Sequence, residues 1–158
     1  MRTKIISAFP GCGKTSYYNE NKETTLDSDS SEFSWSVDEN GKKTRNSEFP
    51  KNYIDHIKAN IGKYKIIFVS SHKEVRDALL DECIFFYLVY PEITRKNEFL
   101  DRYKERGSDE NFIRMLDGKW FEWIEAIEKE EAIGFSKIRM VLPFLKDEIR
   151  HMGTHDAI

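Results

Sequence analysis

The chain is poor in the residues that would make it anything but an ordinary folded protein. It has 2 cysteines, 4 prolines and 8 glycines in 158 residues. Two thiols, Cys12 and Cys83, give no disulfide framework, so a packed core has to hold the fold. No apolar run approaches the roughly 20 residues needed to cross a bilayer. Only Ile5-Ile6 lies between Lys4 and Ser7, too little for the apolar region of a secretory leader. A surplus of positive charge is lacking too: the net charge is −3 with 34% charged residues. No global basic field therefore argues for duplex nucleic acid as a default partner, without excluding it. His56, His72, His151 and His155 fall at no metal-ligand spacing, and the cysteines add none. A reducing cytoplasm and one domain over 1–158, long enough for a single core, fit all of this.

What is present begins at Ala8-Phe9-Pro10-Gly11-Cys12-Gly13-Lys14-Thr15-Ser16. The phosphate-binding P-loop reads G-x-x-x-x-G-K-[ST], and only its first glycine is replaced, by Ala8. That position mainly needs a small side chain where the strand leaves the sheet. Gly11 and Gly13 allow positive φ and close approach to a ligand. The turn would aim the amides of Gly11, Cys12, Gly13, Lys14, Thr15 and Ser16 at one anion. Lys14 can reach the β- and γ-phosphates of a nucleoside triphosphate, and the Thr15 hydroxyl can ligate magnesium. Cys12 offers only its backbone to the phosphates. The bland alternative is a glycine-rich turn whose lysine faces solvent.

The pattern alternates strands and helices. Strands are expected at Thr3 to Phe9, Thr24 to Leu26, Lys65 to Ser70, Ile84 to Tyr90 and Ile138 to Leu142. The run Ile84 to Tyr90, apolar on both faces, reads as the central strand. Helices are expected at Ser16 to Lys22, after Pro50, from a Ser71 cap over His72 to Leu80, and at Thr94 to Arg106. Asp109 to Glu131 is a long helix that Gly118 divides, and Leu145 to Met152 a weak terminal one before a loose tail after Gly153. The polar stretch about 31–50, with a turn at Asn40-Gly41, reads as an insert. The expected class is α/β, three-layered, with a central, mostly parallel five-stranded sheet flanked by helices. Ligands of such sheets bind beyond the carboxyl ends of the strands. Asp27, Asp29, Ser70 and Ser71 belong to that rim.

Asp27 and Asp29, two apart at the end of a strand, lean the same way if the chain is extended. One can hold magnesium through water while the other fixes an acceptor hydroxyl or takes its proton; as plain turn residues they would bond local amides instead. Arg102 and Arg106 share a helix face, with Arg95 and Arg114 nearby, and guanidinium forks suit a transferring phosphoryl group. A solvated, Glu-paired face is the alternative. Arg76 is a candidate for an acceptor phosphate or simply a surface arginine. Phe33 and Trp35 could stack on a base or cap a small helical insert. Trp120 and Trp123 read as packing residues.

Taken together, F-P-G-C-G-K-T-S, L-D-S-D-S-S-E-F-S-W, V-S-S-H-K-E-V-R and Y-P-E-I-T-R-K-N-E-F-L-D-R-Y-K-E-R-G resemble small P-loop kinases of the nucleoside monophosphate kinase group. The likeness is to bacteriophage-type deoxynucleoside monophosphate kinases and adenylate-kinase-like proteins, from Lys4 to about Leu142. It implies a P-loop kinase fold and a lid at about 94–118 that Arg102 and Arg106 open. Arg114 resembles an arginine returning from the lid, and Arg76 the arginine that holds the acceptor's phosphate. The D-x-D also looks like that of shikimate, gluconate and adenylylsulfate kinases, where acidic residues meet magnesium and an acceptor hydroxyl.

The expected function is ATP- and Mg2+-dependent phosphoryl transfer to a nucleoside monophosphate, a small-molecule acceptor of deoxynucleotide type. Lys14, Arg102, Arg106, Arg114 and Asp27 are its catalytic candidates, with Thr15 and Asp27 on the metal. Asp29, Phe33, Trp35, Arg76 and Arg95 are candidates for the acceptor. A kinase for a hydroxyl acceptor and a nucleotide-binding switch or ATPase are the alternatives. A monophosphate presents an already ionised oxygen, so no general base is needed, and catalysis rests on positioning and charge.

Overall fold

The computed structural model describes residues 1–155, without the side chains of His151 and 153–155. Its centre is the strand β1 (Lys4–Ala8), flanked on both sides by parallel neighbours. With β2 (Thr25–Asp27), β5 (Ile66–Val69), β6 (Phe86–Pro91) and β7 (Phe135–Met140) it makes one sheet, ordered β2-β5-β1-β6-β7. Every neighbouring pair in it runs parallel. Residues 66–69 and 86–91 are buried without a break. That is the pattern of strands covered on both faces. The run Ile84 to Tyr90 is thus interior as expected, but the middle position belongs to β1.

Helices α1 (Lys14–Glu20), α3 (Lys51–Asn60), α4 (Lys73–Asp81), α5 (Lys96–Glu105), α6 (Glu110–Lys129) and α7 (Leu145–His155) flank the sheet. Trp120 is fully buried on α6, edge-on to Phe9 at 5.6 Å and tilted against Phe99 at 5.5 Å. Its indole N–H donates to the Ile93 carbonyl at 2.8 Å. Trp123 packs at the margin of the same core. None of the described helices is long and apolar enough to cross a membrane.

The insert is ordered. A short helix α2 (Ser31–Ser34) leads into an antiparallel hairpin, β3 (Trp35–Val37) against β4 (Lys43–Arg45). The Asp38 carboxylate accepts from the Asn40 and Lys42 amides and closes the turn.

Some boundaries differ from expectation, each for a local reason. Gly118 leaves α6 unbroken over 20 residues, because the apolar face on both sides of it stays continuous. Its neighbours Leu116, Trp120, Ile124 and Ile127 are all buried. Ser71 does not cap α4; His72 occupies that position without a side-chain bond. The last strand begins at Phe135, stacked on Phe86 at 5.0 Å, and ends at Met140. Val141 and Leu142 leave the ladder because their amides donate to the Glu148 carboxylate of α7. That helix continues to His155, and the rest of the loose tail expected after Gly153 lies outside the described residues.

Candidate functional site

The sheet order reverses at β1: the chain first winds toward β2 and β5, then toward β6 and β7. A crevice opens beyond the carboxyl ends of strands at such a point. Here it is a cleft of about 1000 Å³. Its floor is the loop that leaves β1, from Ala8 through Gly13, and the first turn of α1. Gly11 and Gly13 sit at φ +86° and +105°, where a side chain is strained. At Gly11 the crowding comes from the protein itself. A Cβ there would stand 2.6 Å from the Tyr103 ring and 3.1 Å from Phe99.

Tyr103 and Phe99, both fully buried on α5, thus form the underside of the loop. The Tyr103 hydroxyl donates to the Pro10 carbonyl at 2.6 Å, and burial pushes its pKa up. Arg102, one position earlier, ties the loop sideways. Its guanidinium donates to the carbonyls of Gly11 and Pro143, each at 2.9 Å, and pairs with Glu98. The loop is therefore braced from α5 and from the segment after β7. Sequence reading missed Tyr103, although its spacing of four from Phe99 marks a shared helix face. It also missed Phe144, Leu145 and Lys146, which line the cleft with Arg106. Nothing in their local sequence marks them.

Over β2 and β5 the cleft is lined by Asp27, Ser28, Asp29, Ser70, Ser71 and His72. A hydrogen-bonded chain sets these turns: Tyr53 Oη donates to the Ser28 carbonyl at 2.7 Å, and Ser70 Oγ to Ser30 Oγ at 2.7 Å. Ser7 Oγ, buried in β1, donates to the Ser70 carbonyl at 3.1 Å. Loss of surrounding water pushes the Asp27 carboxyl up; Lys14 opposes the shift and Asp29 adds to it. Burial, then the charges of Lys14 and Arg45, hold His72 below its usual value. Asp29 accepts from the Ser31 amide at 2.9 Å, so it closes a turn while facing the cleft.

Gly11, Cys12, Gly13, Lys14, Thr15, Ser16, Asp27, Asp29, Arg102 and Arg106 are therefore brought together, whereas Phe33, Trp35, Arg76, Arg95 and Arg114 are not. Arg76 is buried, donating to Glu130 at 2.6 Å and to the Ser71 carbonyl at 3.0 Å. Arg95 is held by Glu98 and by the carbonyls of Met140 and Leu142. Arg114 points outward, 78% exposed, with only Glu110 at 4.0 Å. Phe33 packs between Tyr53 and His56. Trp35, half exposed on the hairpin, meets the Arg45 guanidinium at 5.7 Å. These five placements correct the expectation that the residues line the site. Each side chain has found a partner elsewhere, or open solvent in the case of Arg114.

Cys12 is buried and its amide donates to the Phe9 carbonyl at 3.2 Å. Burial pushes its thiol pKa up to about 12, which leaves on the order of one part in ten thousand as thiolate at pH 8. Cys83 is exposed. Iodoacetamide at pH 8 is expected to add a single group, to Cys83, in the native protein and two after unfolding. Mass spectrometry reads this directly, and prompt double labelling of folded protein would contradict it.

No protein-family model and no curated protein matched the chain.

Proposed function

We propose that the chain is an ATP- and magnesium-dependent phosphotransferase of the P-loop kinase type, which moves the γ-phosphoryl group of ATP onto a small acceptor. The observation that carries the reading is one of placement. The motif Gly11-Cys12-Gly13-Lys14-Thr15 lies at the end of the central strand, in the same cleft as Asp27 and Asp29. A glycine-rich turn with a solvated lysine needs neither the sheet's switch point nor facing carboxylates.

In this reading the triphosphate lies along the loop, with Lys14 and the first-turn amides against its β- and γ-phosphates. These amides have no side-chain cap. Arg106 and Lys146 add positive charge at the side of β6 and β7, where Pro143, Phe144 and Leu145 offer a base an apolar flank. Arg102 acts by holding the loop, since its donors already serve Gly11, Pro143 and Glu98. The Thr15 hydroxyl and the Asp27 carboxylate line the same cleft and would hold a magnesium ion. Among the described residues no cluster of three His, Cys, Asp or Glu could cage a metal. That suits Mg2+, which keeps most of its waters and leans on one or two protein oxygens and on phosphates. When bound, the ion would neutralise charge between the β- and γ-phosphates.

The sequence resemblance points to a nucleoside monophosphate as the acceptor, and the two carboxylates point to a hydroxyl compound. Mg·ATP binding by calorimetry, with ADP release followed over ribo- and deoxynucleoside monophosphates, nucleosides and DNA, tests the proposal. Acceptor-dependent ADP release is the expected result. Absence of nucleotide binding would refute it, and fast hydrolysis indifferent to acceptor would favour the switch or ATPase alternative.

A further inference from the structure

We infer that the acceptor is an uncharged hydroxyl compound rather than a phosphate-bearing one; this rests on the phosphotransferase reading above. The half of the cleft over β2 and β5 holds two carboxylates, Asp27 and Asp29, with Ser28, Ser70, Ser71 and His72. Among the described residues no arginine or lysine lines this half except Lys14, which serves the triphosphate. With Asp27 given to the magnesium ion, a dianionic acceptor phosphate would sit beside the Asp29 carboxylate with no guanidinium to hold it. Like-charge juxtaposition in a partly dehydrated site is unfavourable at every separation it could adopt.

The arginines that could have relieved this are engaged. Arg76 is buried against Glu130 and the Ser71 carbonyl, and Arg95 is locked to Glu98 and two carbonyls. Arg45, whose charge reaches His72, pairs with Glu74 at 2.9 Å over the Phe49 and Trp35 rings and does not line the cleft. The other positive side chains of the cleft, Arg102, Arg106 and Lys146, stand on the opposite half, over β6 and β7.

The other groups lining this half, Ser28, Ser70, Ser71 and His72, suit a polar, neutral ligand. Hydroxyls, carboxylates and an imidazole together are the complement of a polyhydroxylated molecule, since each can donate to or accept from an alcohol.

In the reaction the acceptor's O–H bond breaks and its oxygen forms a new bond to the γ-phosphorus. The bond from that phosphorus to the bridging oxygen breaks, its electron pair leaves with ADP, and one proton is released to the medium. Transfer to a monophosphate, R–OPO3 2−, would release none at pH 8, because the attacking oxygen is already ionised.

The test uses the full chain with Mg·ATP at pH 8, a panel of nucleosides, sugar acids and polyols, and the matching 5′-monophosphates. Acceptor-dependent ADP release is counted against protons in weakly buffered solution. One proton per ADP, with a hydroxyl compound, is the expected result. Release of ADP only with monophosphates and without protons overturns the inference, as does its absence with every hydroxyl compound. In parallel, binding of thymidine and of its 5′-monophosphate is measured on protein saturated with a magnesium-bound, non-hydrolysable ATP analogue. Asp29→Asn, whose amide oxygen can keep the Ser31 bond, should shift the ratio of monophosphate to thymidine affinity roughly fivefold toward the monophosphate. A monophosphate that binds native protein tenfold tighter than thymidine overturns the inference. Failure of the analogue itself to bind refutes the phosphotransferase reading instead, so the two failures are distinguishable.

Discussion

Turnover by Lys14→Ala is expected to fall by about a hundredfold to a thousandfold while the fold survives, the usual loss when a preorganised charge contact to a transferring group is removed. Both halves of this expectation have a structural basis. Lys14 opens α1 and lines the cleft floor, and among the described residues it forms no ion pair or side-chain hydrogen bond. Its removal strands no partner, so stability should change by less than about 0.5 kcal/mol. Its charge nevertheless reaches Cys12 in the loop after β1, Asp27 at the end of β2 and His72 just before α4. In the reading proposed above, this untied cation is the one that meets the triphosphate. Steady-state kinetics with a saturating acceptor, beside a thermal melt, checks both. A variant that turns over normally would remove the basis for reading residues 8–15 as a triphosphate loop.

Arg76→Ala is expected to do the reverse, costing stability and leaving acceptor affinity alone. The Arg76 side chain is 7% exposed and its partner Glu130 22%. Truncation leaves Glu130 without its counter-charge and the Ser71 carbonyl without a donor. Breaking a fully buried pair costs about 3–5 kcal/mol. Glu130 still touches water, so about 2–3 kcal/mol is the expected loss. For a chain of this size that lowers Tm by roughly 5–10 °C. Glu130→Ala should reproduce most of it from the far end of α6. If the Arg76 variant melts normally but binds acceptor tenfold more weakly, the arginine serves the ligand rather than the fold.

The contrast between these two residues shows what a sequence can reveal. Lys14 sits in a local pattern whose geometry is set by its own neighbours, two glycines and a following helix. Local patterning likewise marked the apolar strands, the Asn40-Gly41 turn and the packing role of Trp120. The fate of Arg76 depends on Glu130, 54 residues away, and that of Arg95 on carbonyls 45 and 47 residues away. Charge is visible in one dimension, but its partner is not. The same holds for the supports of the loop, since Tyr103 lies 93 residues from the Pro10 carbonyl it holds. The end of β7 was misplaced because Met140-Val141-Leu142 reads as strand, whereas the Glu148 carboxylate takes the amides that a ladder would have used.

The bracing of the loop has a consequence for how the protein is made. Residues 8–15 leave the ribosome before Arg102, Tyr103 and Pro143 are translated. A nascent chain carrying the glycine turn alone has nothing beneath or beside it to fix its shape. Ligand competence should therefore arrive late in elongation, as the carbonyl of Pro143 emerges and meets the guanidinium that already spans back to Gly11.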